Sequence, residues 1–272
     1  MKIKNIINYV LFGLIIISLL AGSSTAQEEH SSTLKKIIDK GEIVIGLAET
    51  FPAVYKDIDT GKWTGPVPEI WRMLGKEMGV EVKFLETTWS TFPTSLRNRE
   101  FDFMGSATFY RVMRATMVSF TNTLYYLGEA VVARSDDERF NTMEDVYKEI
   151  EKGKVVIGAG LAQAGALAAK DKFPNAELKE FEVTSNVQVG ESLRARVTDL
   201  WVVDESVARP FVEKNDWAKL IGVFDRTPVG FCVRYEDVDL REFLNYYVNY
   251  VRISGIAEEE FRKFGMPSEY IW

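Results

Sequence analysis

From Glu42 onward the chain repeatedly sets a short apolar run against a segment whose apolar residues recur at helical spacing. That alternation restricts it to an α/β fold, with the runs as strands buried under helices. Glu42–Leu47 reads as the first strand. Pro66 and Pro68 then open a helix whose residues Val67, Ile70, Trp71, Leu74 and Met78 share one face and which stops at Gly79. Residues 80–85 form the next strand, 92–98 a helix, and 101–104 a third strand with short polar residues after it. The second half repeats the order, with an extended run at 130–133, a helix from Met143, a strand at 155–157 and a helix from Gln163. Strands at Glu177–Phe181 and 199–203, with a helix at 187–195 between them, a strand at 230–234 and a helical tail from Asp239 to Phe264 complete the reading.

One internal match supports two comparable sheets. SLRNREFDFM (95–104) and SLRARVTDLW (192–201) share Ser-Leu-Arg-x-Arg-x-x-Asp followed by two apolar residues, each at a helix-to-strand junction. Ser106 and Asp204 fall just beyond the matching strands, at the carboxyl ends where open α/β sheets bind ligands. Asp102 and Asp199, early in those strands, read as structural, and Trp71 reads as core.

Lys2 and Lys4 precede an apolar run at 10–20, and Ser24, Thr25 and Ala26 lead into polar Gln27, Glu28 and Glu29. This is the order of a signal peptide over residues 1–26, cleaved after Ala26, with a retained N-terminal anchor as the alternative. Either leaves the folded part extracytoplasmic. The formal charge of −7 becomes −9 once Lys2 and Lys4 are lost, which argues against a nucleic-acid partner. A single cysteine, Cys232, excludes an intramolecular disulfide or a CxxC metal site. A single histidine, His30, leaves almost nothing from which to build Ser-His-Asp, Cys-His or multi-histidine metal chemistry. GAGLAQAG (158–165) follows a strand as a dinucleotide loop would, yet Gln163 stands where a third glycine belongs, so a tight strand-to-helix turn is the better account. No metal and no cofactor is expected.

GEIVIG (41–46), FPAVY with TGKWTG, TTW with Leu96, FDFMGSAT with RATMVSF, GKVVIGAG (153–160), RVTDLWVVDE (196–205) and VGFCVRYEDVDLREFLN (229–245) occur in one order. In that order they resemble the amino-acid-binding family (family 3) of extracellular solute-binding proteins of ABC transporters. The resemblance implies a two-lobed, periplasmic-binding-protein-like α/β fold of type II with two hinge strands. Lobe one would take residues 33–127 plus 235–272, and lobe two 128–234. It further implies a receptor without catalytic residues, whose partners are a small amino acid or carboxylate and an ABC permease.

The same resemblance nominates the site. Arg114 matches the family arginine that grips a ligand carboxylate, for which a planar guanidinium offers two parallel charge-assisted bonds. Asp204 matches the aspartate that accepts from an ammonium group, although Asp is equally suited to cap the helix that follows. Trp89 and Phe51 match aromatic positions that cover the bound molecule. The pattern departs at Ala162 and Phe109, where hydroxyl donors are usual. Ser106 and Thr108 remain as local partners, and the backbone amides of 161–163 as an anion-attracting helix entry. Arg111 and Glu49 are expected to be solvated. Two further readings share the fold: a cyclohexadienyl-dehydratase-like enzyme, whose counterpart RFNTMEDV (139–146) resembles, and a ligand sensor without transport.

Overall fold

The computed structural model describes residues 32–182, 187–267 and 270. The signal segment expected over 1–26, its cleavage point and His30 lie outside the described residues. Helix α1 (Thr33–Lys40) leads into β1 (Glu42–Leu47), whose alternate residues Ile43, Ile45 and Leu47 are wholly buried. A short hairpin of β2 (Tyr55–Lys56) and β3 (Trp63–Thr64) precedes α2 (Pro66–Met78), which starts on proline and ends at Gly79. α2 buries Val67, Ile70, Trp71 and Leu74, the face set by their spacing. The Trp71 indole N–H donates to the Gly105 carbonyl at 2.9 Å, and its ring meets Phe103 and Phe231 edge-on at 4.8 and 4.5 Å. Each such ring pair adds about 0.5–1.5 kcal/mol to the burial itself.

β4 (Glu81–Glu86), α3 (Phe92–Arg97) and β5 (Phe103–Phe109) follow, with β4 and β5 parallel to β1 on its two sides. The short α4 (Val112–Ala115) and β6 (Ser119–Phe120) lead into β7 (Tyr125–Arg134). α5 (Met143–Glu151) opens with reciprocal bonds between Thr142 and Asp145, a capping box that fixes its first turn. Then come β8 (Val156–Gly160), α6 (Ala164–Lys172), β9 (Glu177–Phe181), α7 (Val187–Arg194), β10 (Leu200–Asp204), α8 (Glu205–Lys214) and the sixteen-residue β11 (Ala218–Val233). The tail is two helices rather than one, α9 (Val238–Ile253) and α10 (Ile256–Lys263), because Gly255 takes a left-handed φ of 78° that an α-helix cannot continue through. They return to pack on α1 and α2.

The strands run in the order β4-β1-β5-β11-β7-β10-β8-β9. The two comparable sheets expected from the internal match are therefore joined in one hydrogen-bonded path. Three parallel strands at each end flank β11 and β7, which pair antiparallel along their length. These two are the hinge strands of a two-lobed α/β fold. β11 slips register between Leu220 and Gly222 and again between Phe224 and Thr227, where Asp225 sits at φ 56°. Alternate residues of β7 and β10 serve opposite faces. Val131, Ala133, Leu200 and Val202 enter one core cluster, and Ala130, Val132, Trp201 and Val203 another. A larger cluster around Trp71 gathers β1, α2, α9 and α10.

The internal match has matching physical roles. Asp102 accepts from the Val44 amide at 2.8 Å and Asp199 from the Val156 amide at 2.9 Å, each pinning its strand to the parallel neighbour. Arg99 and Arg196 both turn the chain with φ near 60°.

Candidate ligand-binding site

Arg114 lies in α4, at the exit of β5, and Asp204 ends β10, so each follows the carboxyl end of one of the matching strands. The fold brings them to one small cavity lined by Thr50, Trp89, Ala107, Phe109, Arg114, Gln163, Ala164 and Asp204. Its volume is about 10 Å³, room for roughly one water. The cleft is closed on itself: Arg114 Nη2 donates to the Ala162 carbonyl at 2.8 Å, and the guanidinium lies over the Trp89 ring at 5.5 Å. Arg114 and Asp204 are 4% and 8% exposed, so their charges act with little screening by water.

Burial lowers the Arg114 pKa, while Cys232 and the Asp204 and Glu129 carboxylates oppose the change. Burial pushes the Asp204 carboxyl up to about 6 against the pull of Arg114 and Arg111. Asp204 stands at the N-cap of α8, but its side chain makes no capping hydrogen bond, leaving the carboxylate for the cleft.

Ala162 contributes backbone, not side chain. It holds φ 57°, which aims its carbonyl at Arg114 at a cost of about 1 kcal/mol for a residue with a Cβ. The amides of Leu161 and Gln163 already donate to Phe181 and Gly160, so anion-attracting donors come from the first turn of α6, from Ala164 on. Gly165 sits there because a Cβ would stand 2.6 Å from the Val202 carbonyl oxygen. The glycines of 158–165 thus serve a tight turn and close helix-to-strand packing.

The other nominated residues separate. Trp89 lines the inner cavity. Phe51 instead lines a neighbouring groove of about 700 Å³ with Glu49, Tyr55, Ile58, Pro210, Phe211 and Lys214. Ser106 and Thr108 are absent from the cavity wall. β5 continues to Phe109 instead of stopping at 104, and the strand's alternation turns Ala107 and Phe109 to the cavity and the hydroxyls away. Ser106 Oγ is spent on the Ala48 carbonyl and amide, and Thr108 donates to the Ser106 carbonyl at 3.0 Å.

Arg111 is not solvated as expected. Its Nη1 meets Asp225 at 2.6 Å and its Nη2 approaches the wholly buried Glu129 at 3.6 Å. Thr50 and Glu129 escaped the sequence reading, and Gln163 entered it through its backbone alone. Thr50 reaches the site by tertiary folding, whereas Glu129, an acid inside an apolar strand, carried a visible signal.

Two buried, oppositely charged side chains facing one closable cleft, beneath paired hinge strands, define a two-lobed small-molecule binding protein. The chain belongs to the bacterial extracellular solute-binding proteins, family 3, whose family model matches residues 43–266. It is 25% identical over 248 residues to the L-cystine-binding protein of Escherichia coli K12, covering 90% of each chain. Among solved structures it superposes on a mutant of ArgBP from T. maritima with a TM-score of 0.75 at 24% identity, over 86% of this chain and 99% of that one. An ancestral amino acid-binding protein, a precursor of cyclohexadienyl dehydratase, gives a TM-score of 0.76 at 25% identity with the same coverage.

Proposed function

We propose that this protein is an extracytoplasmic receptor that captures an amino acid, or a related molecule carrying both amine and carboxylate, and delivers it to an ABC permease. The observation that carries the reading is the placement of Arg114 and Asp204 at one buried cavity, a guanidinium fit for a carboxylate and a carboxylate fit for an ammonium. Relatives named as binding proteins for cystine and other amino acids support the ligand class. We keep a first lobe of 33–127 with 235–272 and a second of 128–234 as the proposed division, with the end of β11, at Val229, Phe231 and Val233, packing into the first lobe's core.

A cavity of about 10 Å³ admits no amino acid. The ligand therefore enters an open form, its carboxylate replaces the Ala162 carbonyl on Arg114, and closure over it brings Asp204 onto the amine. Closure is favoured only by the extra affinity of the shut form for the ligand. Titration calorimetry of mature protein, unfolded and refolded to strip carried ligand, against the twenty protein amino acids and L-cystine tests this. Saturable binding that Arg114→Ala and Asp204→Ala both weaken supports the receptor, and silence across the panel removes the ligand class.

The dehydratase reading draws on one observation, a buried carboxyl at Asp204 that titrates near 6, where a general acid works. Turnover of prephenate or arogenate would favour that enzyme over the receptor.

A further inference from the structure

Asp204 and Glu129 stand directly opposite each other in the antiparallel β10–β7 ladder, which puts both carboxyls on one face of the sheet. Glu129 is wholly buried, and neither of its oxygens accepts a hydrogen bond. An unmatched buried carboxylate is costly enough to demand an explanation.

The groups facing Glu129 come from each element around it: Asp204 from β10, Asp225 from β11, and Arg111 and Arg114 from the segment after β5. Arg111 has its short contact with Asp225, and Arg114 is engaged with Ala162 and Trp89. Glu205, which reaches Gly128 from α8, pairs through one oxygen with Arg209 at 2.6 Å, while its other oxygen accepts no hydrogen bond and has Arg226 at 3.7 Å. Cys232, beside Arg114, is held neutral by burial, which pushes its thiol up to about 12. Three carboxyls thus face two guanidiniums, and the site is one positive charge short. Burial raises both members of the Glu129–Asp204 pair, and the Asp204 carboxylate raises Glu129 further, so one proton held by the pair supplies that charge when the cleft is shut.

We propose that Glu129 makes this site selective for ligands with one net positive charge, a diamino acid or its guanidino equivalent, whose second cation takes the place of the proton shared by Glu129 and Asp204. This rests on the amino-acid receptor reading. A neutral amino acid brings one carboxylate and one ammonium, leaves the sum unchanged and leaves the proton in place. A ligand with a second cation restores neutrality without the proton, which leaves to solvent as the ligand binds. Glu129 does not line the cavity and acts through Asp204, so it is a positioning residue.

The test is calorimetry of the mature protein at pH 7 in phosphate and in Tris, whose different ionisation enthalpies count protons released, with the twenty protein amino acids. L-Arginine or L-lysine should bind at least tenfold more tightly than glutamine or methionine and release about one proton. Its affinity should rise by up to tenfold per pH unit while the pair remains protonated. Glu129→Gln should abolish the proton release and shrink the preference to within about threefold. Tightest binding of a neutral or acidic amino acid, or cation binding without proton release in the unaltered protein, overturns this inference alone. Binding of none of the twenty, with L-cystine silent as well, overturns it together with the receptor reading.

Discussion

Arg134 and Arg234, at the far ends of the two hinge strands, make the same contacts in opposite halves of the protein. Arg134 donates to the Leu193 and Thr198 carbonyls at 3.1 and 2.9 Å and pairs with Asp137, while Arg234 donates to the Leu96 and Phe101 carbonyls, both at 2.8 Å, and pairs with Asp237. Each arginine ties the end of a hinge strand to the helix-to-strand turn of the internal match. Both are 5% exposed.

Removal of either guanidinium orphans two carbonyls and takes a cation from a buried aspartate, Asp137 keeping Arg139 and Asp237 keeping the Thr33 hydroxyl. Arg134→Met and Arg234→Met should each destabilise the protein by about 3 kcal/mol. Urea unfolding measures this, and a loss under 1 kcal/mol would mean that water replaces the lost bonds.

Arg114 plays no such structural part, since its one protein hydrogen bond is the contact across the cleft. Arg114→Ala should weaken amino acid binding by at least 100-fold while shifting the urea midpoint little. Arg114→Lys should recover only part of the affinity, because an ammonium cannot grip a carboxylate bidentately. Full affinity in Arg114→Ala would dismiss the carboxylate role.

Asp204 predicts a pH signature. Its carboxyl holds a proton to about pH 6 in the folded protein but only to about 3.8 in the unfolded chain, so between those values the folded state binds more protons. Stability should therefore fall as pH rises through that window, with the Asp204 share of it gone above about pH 6. Asp204→Asn should flatten that slope and raise stability at pH 7.5 by roughly 2 kcal/mol, while losing amine binding. Unfolding curves at pH 4.5 and 7.5 that keep the same slope in the variant would contradict this.

Gly165 offers a packing test. A methyl group there meets the Val202 backbone at 2.6 Å, which no rotamer change relieves. Gly165→Ala should cost about 2–3 kcal/mol by pushing α6 off β10, read as a drop in melting temperature. An unchanged melt would place slack between helix and strand.

Much of this architecture was legible in the sequence because its signals are local. Pro66 and Gly79 bound α2, Met143 opens α5, and the Ser-Leu-Arg match aligns β5 with β10. What stayed hidden depends on partners far along the chain. GSATF alternates polar with apolar residues, but both faces of β5 are buried, so polarity told neither where the strand ends nor which face meets the cavity. The first part of β11 carries Gly222, Asp225 and Pro228, residues that locally signal turns, and only pairing with β7 holds it extended. Arg114, Trp89 and Asp204 converge at the cavity, whereas Phe51 is carried to the outer groove and the engagement of Arg111 with Asp225 appears only in three dimensions.

The pairing of β7 with β11 also makes the second half of the chain a topological insertion. The polypeptide leaves along one strand and returns along its hydrogen-bonded neighbour, with Leu127 opposite Thr227. Its exit and re-entry points are therefore only about 5 Å apart. A two-residue turn could splice them and close the first half as an ordinary hairpin, and the same neighbouring positions are where a donor scaffold could accept the excised half as a guest domain.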